Sequence, residues 1–170
     1  MRTNQNFAIS YILMVIVQII IFNYLNLSAY ISLSILPAAL MLLPLNLSTT
    51  VTMLIAFASG LSVDFLSDGL PGLNAAALVP VALTKKTIIR WIVDKDFSDR
   101  EDTVNISHDG FLKVSASVFM AIILYFAIYV MTDSGGTRPG TFNFIKIAAS
   151  TLCSYLLSIP LLYARNNSER

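Results

Sequence analysis

Asp64 is the residue with the most chemistry to explain. It stands near the end of an apolar run, Ala58-Ser59-Gly60-Leu61-Ser62-Val63-Asp64-Phe65, after which the chain turns back through Ser67-Asp68-Gly69-Leu70-Pro71-Gly72 into a second apolar run that begins Leu73-Asn74-Ala75. An ionisable group within such a run is costly, tends to face the interior of a helical bundle and often marks function. Lys146, about one turn into the last apolar run, makes an Asp64–Lys146 pair geometrically available. The alternative is architectural: Asp64 accepts hydrogen bonds from the turn and from the N-terminus of the following helix at 72–74, where backbone N–H groups have no partner within the helix. The architectural role is the preferred one, and for Lys146 so is snorkelling to the headgroups.

Other constellations are weaker. His108 beside Asp109 has half the parts of a catalytic triad, but it is the single histidine and lies in a polar segment far along the chain from the single cysteine, Cys153. The run Asp94, Asp96, Asp99, Glu101, Asp102 lacks the ligand order and central glycine of a calcium loop, and with Lys95 and Arg100 among it reads as a solvated linker. One thiol supports neither a disulfide framework nor a cysteine-based metal site. The Gly135-Gly136 linker follows no strand, so it is a turn and not a phosphate-binding loop. No nucleophile–base pair or metal-ligand set falls within the apolar runs, which makes catalysis the least favoured class. No cofactor is expected.

The chain that positions these residues has 170 amino acids, 56% hydrophobic and 12% charged, with a mean hydropathy of +0.72. Soluble domains carry about 25% charged residues, so an all-α integral membrane protein is expected. A net charge of +1 gives no basic field for nucleic acid. A helical crossing needs roughly 20 apolar residues. On that scale residues 1–170 form one domain of six spans, at about 7–25, 30–43, 48–66, 73–92, 111–131 and 142–163, with a polar loop at 94–110. The first run follows Arg2 but is longer than a signal-peptide core and has no clear cleavage site, so it is read as a retained span. Pro37 makes the second span short and kinked. Ser48-Thr49-Thr50 supplies capping chemistry to the third.

The fourth span ends in Lys85 and Lys86 and continues to Trp91, with Lys86, Arg90 and Asp94 four residues apart. Lys85, Lys86 and Arg90 are expected to contact lipid headgroups, with Trp91 at headgroup depth. Small residues at Ala56, Ala58, Ser59, Gly60 and Ser62, and at Ala75 to Ala77, allow spans three and four to approach closely. Six spans put both termini on one side. If that side is the cytoplasm, nine of the eleven Lys and Arg residues lie inside and only Arg138 and Lys146 outside, as the bias of cytoplasmic flanks toward positive charge requires.

Gly60, Leu61 and Asp64, followed after a loop by Gly72 and Asn74, give the order G-L-x-x-D then G-x-N. This segment resembles the rod shape-determining protein MreD family. The likeness is close over about twenty residues and looser over the chain, in length, number of spans and the basic end of span four. It implies a non-enzymatic component of the bacterial cytoplasmic (inner) membrane, both termini cytoplasmic, that binds MreC and through it reaches MreB, RodA and a penicillin-binding transpeptidase. The implied fold resembles the substrate-binding subunits of energy-coupling-factor vitamin transporters. Such a subunit is therefore the rival function, although the first span contains only Ala8 where those subunits present an Ala-x-x-x-Ala face. In the scaffold function Gly60, Asp64, Gly72 and Asn74 form a structural or partner-binding hairpin, with the glycines allowing close backbone approach and Asp64 holding the turn.

Overall fold

The computed structural model describes residues 2–24, 31–67, 70–93, 111–135 and 138–168, with side chains at 2–7, 93 and 164–168 left aside. The loop expected at 94–110, with His108, Asp109 and the acidic run, lies outside the described residues. The elements in chain order are α1 (Arg2–Tyr24), α2 (Leu36–Met41), α3 (Thr49–Leu66), α4 (Leu73–Val93), α5 (Phe111–Ser134) and α6 (Gly140–Ser168). Three stretches, Thr49–Leu66, Phe111–Ser134 and Gly140–Tyr163, are long and apolar enough to cross a membrane. Large side chains such as Ile16, Leu54, Leu83, Met120 and Leu156 are exposed around the outside. An apolar exterior of this extent suits lipid rather than water.

Local sequence sets the helix ends. Ser48 accepts from Val51 N–H at the start of α3 (3.3 Å), the capping chemistry expected there. Pro80 and Pro160 lie inside α4 and α6, and the Thr84 hydroxyl donates to the Pro80 carbonyl (2.8 Å), the back-bond to the i−4 carbonyl that a helical threonine makes. The contacts that fix direction are those of an up-and-down bundle. Tyr11 meets Ser59 (2.8 Å) and Asn23 donates to the Leu66 carbonyl (3.1 Å), so α1 and α3 run parallel. Ser115 meets Tyr155 while Asn143 donates to Ser134, so α5 and α6 run antiparallel. The core between the helices is built on Leu36, Leu40, Val63, Leu78, Ile122 and Phe126.

The expected second span, 30–43, is corrected. Only α2 is helical there, six residues with Pro37 in its first turn, and residues 31–35 precede it as non-helical chain. Ser32 N–H donates to Ser150 Oγ (3.0 Å) and Ser34 N–H to Ser154 Oγ (2.9 Å). Two residues thus keep pace with four of α6, a rise of about 6 Å and that of extended backbone. From α1, Gln18 Nε2 donates to the Leu33 carbonyl (3.0 Å) and Gln18 Oε1 accepts from Ile35 N–H (2.7 Å). Leu33 and Ile35 pack on Ile21, with Cys153 and Leu161 alongside. Pro37 cannot donate to the Leu33 carbonyl, which disfavours a helix through this stretch. Gln18 of α1 supplies that donor in its place, and the serines of α6 accept from the N–H groups of Ser32 and Ser34.

Gln18 is fully buried and makes two of these bonds, whereas Ser150 makes one. Gln18→Leu is therefore expected to destabilise the purified protein by ~2–4 kcal/mol and Ser150→Ala by ~1 kcal/mol. Denaturant unfolding in detergent measures both, and a neutral Gln18→Leu would contradict the cradle.

Candidate functional site

The end of α3 and the start of α4 are joined by one carboxylate. Asp64 is 2% exposed. Its Oδ2 accepts from Gly72 N–H (3.0 Å) and Ala75 N–H (3.3 Å), Asn74 N–H is shared between both oxygens (3.1 Å each), and Asn74 Nδ2 donates to Oδ1 (2.7 Å). The first turn of α4 closes with Ala76 N–H on the Gly72 carbonyl (2.8 Å). The N–H groups taken by Asp64 are therefore those that a helix leaves unpaired at its start, and the negative charge sits at the positive end of the helix dipole. An N-cap residue normally does this from within its own turn. Here the cap comes from the preceding helix.

Two glycines make that geometry reachable. A Cβ on Gly60 would lie 2.6 Å from both the Cα and the N of Ala75, and 2.9 Å from the Asn74 carbonyl carbon. The backbones of α3 and α4 touch there, and no side chain fits. Gly72 has a φ of 90° with open space where a Cβ would be, so its requirement is conformational.

The site continues into α5, which sequence reasoning did not anticipate. The Tyr125 hydroxyl donates to Asn74 Oδ1, so the Asn74 amide has one end on Asp64 and the other on α5. Tyr125 is fully buried and stacks on Tyr129, with ring centroids 5.7 Å apart. The Ser34 side chain lies beside the Tyr125 phenol without a well-formed hydrogen bond. A tyrosine on the inner face of an apolar helix is the only sequence signal for this contact, and it is a common one.

Other expected site residues fall elsewhere. Lys146 does not pair with Asp64 and does not snorkel. It is 7% exposed and its Nζ lies 2.9 Å from Asp133 Oδ2, which also accepts from Arg138 Nη1 at 3.0 Å. Asp64 is already saturated by N–H donors, whereas Asp133 ends α5 directly opposite the start of α6. Lys85 is likewise no headgroup contact. It is buried, and its Nζ donates to the Leu43 carbonyl (2.7 Å) just past α2, where a cation complements the carbonyl end of a short helix. Lys86 is half-buried, and Arg90 and Trp91 are exposed. Cys153 is a half-buried free thiol. Among the described residues no group of three or more His, Cys, Asp or Glu is placed to hold a metal. Compared with known proteins, the chain matches no family model, no curated protein and no solved structure.

Gly60→Ala is expected to cost ~1–3 kcal/mol by forcing α3 and α4 apart, and Gly72→Ala ~1–2 kcal/mol through its backbone alone. Asp64→Ala orphans several buried donors at once and is expected to cost ~3 kcal/mol or more. Thermal unfolding of the three variants tests the ranking; an Asp64→Ala protein as stable as wild type would contradict the capping role.

Proposed function

We propose that this chain is a non-enzymatic scaffold subunit of the bacterial cell-elongation (rod) complex, of the MreD type. It sits in the cytoplasmic membrane as a six-crossing bundle with both termini cytoplasmic. It binds MreC, and through MreC it supports MreB, RodA and the penicillin-binding transpeptidase in peptidoglycan synthesis and cell shape. The observation that carries this reading is the use of Asp64. Its carboxylate is spent on the N–H groups of Gly72, Asn74 and Ala75 and on the Asn74 amide, which suits a rigid hairpin that presents a fixed surface and not a group that turns over a substrate. The residues that carry the MreD-like pattern, Gly60, Asp64, Gly72 and Asn74, are the ones that meet at this joint.

The six-crossing topology is supported by direction and charge. The stretch 31–35 with α2 advances by about 25 Å, close to the thickness of a hydrocarbon layer, and it runs in the same sense as α6. The distribution of Lys and Arg argues for cytoplasmic termini. Single cysteines placed near residues 2 and 169 in a Cys153→Ala background are expected to react with an impermeant maleimide from the cytoplasmic side only. Labelling of the two ends from opposite faces would refute the topology.

Co-expression with an MreC homologue tests the function itself. Wild type is expected to co-purify with MreC in detergent, Asp64→Ala to be recovered with MreC several-fold less, and wild type to show no thermal shift with water-soluble vitamins. Failure of the wild-type pair to associate, or tight stoichiometric vitamin binding, would favour the transporter-subunit alternative.

A further inference from the structure

Two hydroxyls are left over in the interior of the bundle. Ser34 Oγ and Thr151 Oγ1 have no hydrogen-bond partner among the described protein groups, although their residues are only 1% and 4% exposed. Buried serines and threonines in helices ordinarily return the hydroxyl to a carbonyl three or four residues back. Thr52, Ser59, Ser117 and Ser158 all do so. Thr151, in the same kind of helix, does not.

The register brings the two hydroxyls to one interface. Ser34 N–H donates to Ser154 Oγ at 2.9 Å, and Thr151 lies one turn before Ser154 on α6. Thr151 is on the side of α6 that faces α5, because Tyr155, one turn on, bonds Ser115 and Asn143, two turns back, bonds Ser134. Interpolating between those two pairs sets Thr151 level with about residues 119–126 of α5, a stretch that contains Tyr125. The Ser34 side chain lies beside that same tyrosine.

We propose that Ser34 and Thr151 hold a buried water molecule between the stretch 31–35, α5 and α6, next to Tyr125. Each hydroxyl can both donate and accept, and a water, which does the same, can satisfy both in whichever sense each hydroxyl turns. Such a water carries the polar chain that starts at Asp64 and passes through Asn74 and Tyr125 across to α6, so the four helices α3 to α6 and the extended stretch share one buried network. The site stands independently of the scaffold function.

The sign of a hydroxyl deletion tests it. In the full chain in lipid nanodiscs, Ser34→Ala and Thr151→Val should each lower the melting temperature by about 2–6 °C, the double variant should lose no more than the worse single one, and Thr151→Ser should keep most of the stability. Water-edited magic-angle-spinning NMR should show fast transfer from water to the Thr151 side chain in wild type, lost in Ser34→Ala. A dry interface gives the opposite signs, since removing unpaired hydroxyls then stabilises. A rise or no change in either single variant, additive losses in the double, or no water transfer at Thr151 would each overturn the proposal.

Discussion

In an apolar surrounding every backbone N–H and C=O must find a partner within the protein, and this bundle departs from continuous helix in places where that rule is hardest to meet. Each departure is closed by a polar side chain from another element. Asp64 of α3 takes the first N–H groups of α4, Gln18 of α1 and two serines of α6 take the stretch 31–35, and Lys85 of α4 takes the Leu43 carbonyl beyond α2. A typical hydrogen bond adds about 0.5–1.5 kcal/mol net, while a buried group left unpaired costs about 1–3 kcal/mol. The weight of these side chains therefore lies in what their loss would expose.

Because each closure reaches across elements, the polar side chains also set the packing. Asp64 can reach the start of α4 only if α3 and α4 touch, and they touch because Gly60 has no Cβ to meet Ala75. Asn74, placed in the first turn of α4 by that contact, then has its carbonyl oxygen free to receive Tyr125. One missing side chain and one carboxylate thereby orient three helices. Apolar packing around them on Val63, Leu78 and Ile122 is generic; the register comes from the polar contacts.

Charge is sorted along the bundle by the same rule. Lys146, buried near the start of α6, pairs with Asp133 at the end of α5 and lies 6.0 Å over the Tyr129 ring, and Lys85, buried near the other end of α4, has a carbonyl for its partner. Arg138, Lys86 and Arg90, which reach the surface to different degrees, lie at the ends of elements. An apolar flank exposed to lipid needs this arrangement, since a charge left unpaired on that flank would be costly there.

Much of this was legible in the sequence. Composition and run lengths indicated an all-helical architecture, because an apolar run followed by Gly, Pro and charge is a local signal, and the Gly60–Asp64–Gly72–Asn74 joint could be read because its parts fall within fifteen residues of chain. What could not be read depends on distant partners. The helix expected at 30–43 became extended chain and a single short turn because Gln18, Ser150 and Ser154, far away in sequence, offer it hydrogen bonds; a serine pair four residues apart on α6 was the available hint. Lys85 and Lys146 were assigned to the headgroups by a rule about lysines near helix ends, yet both are buried against a partner that only the fold supplies. The amino-acid order by itself determined an apolar helical bundle and its hairpin, since both follow from neighbours along the chain. The tertiary structure alone decided which polar groups meet inside it, since a buried donor takes whichever acceptor the packing brings within about 3 Å.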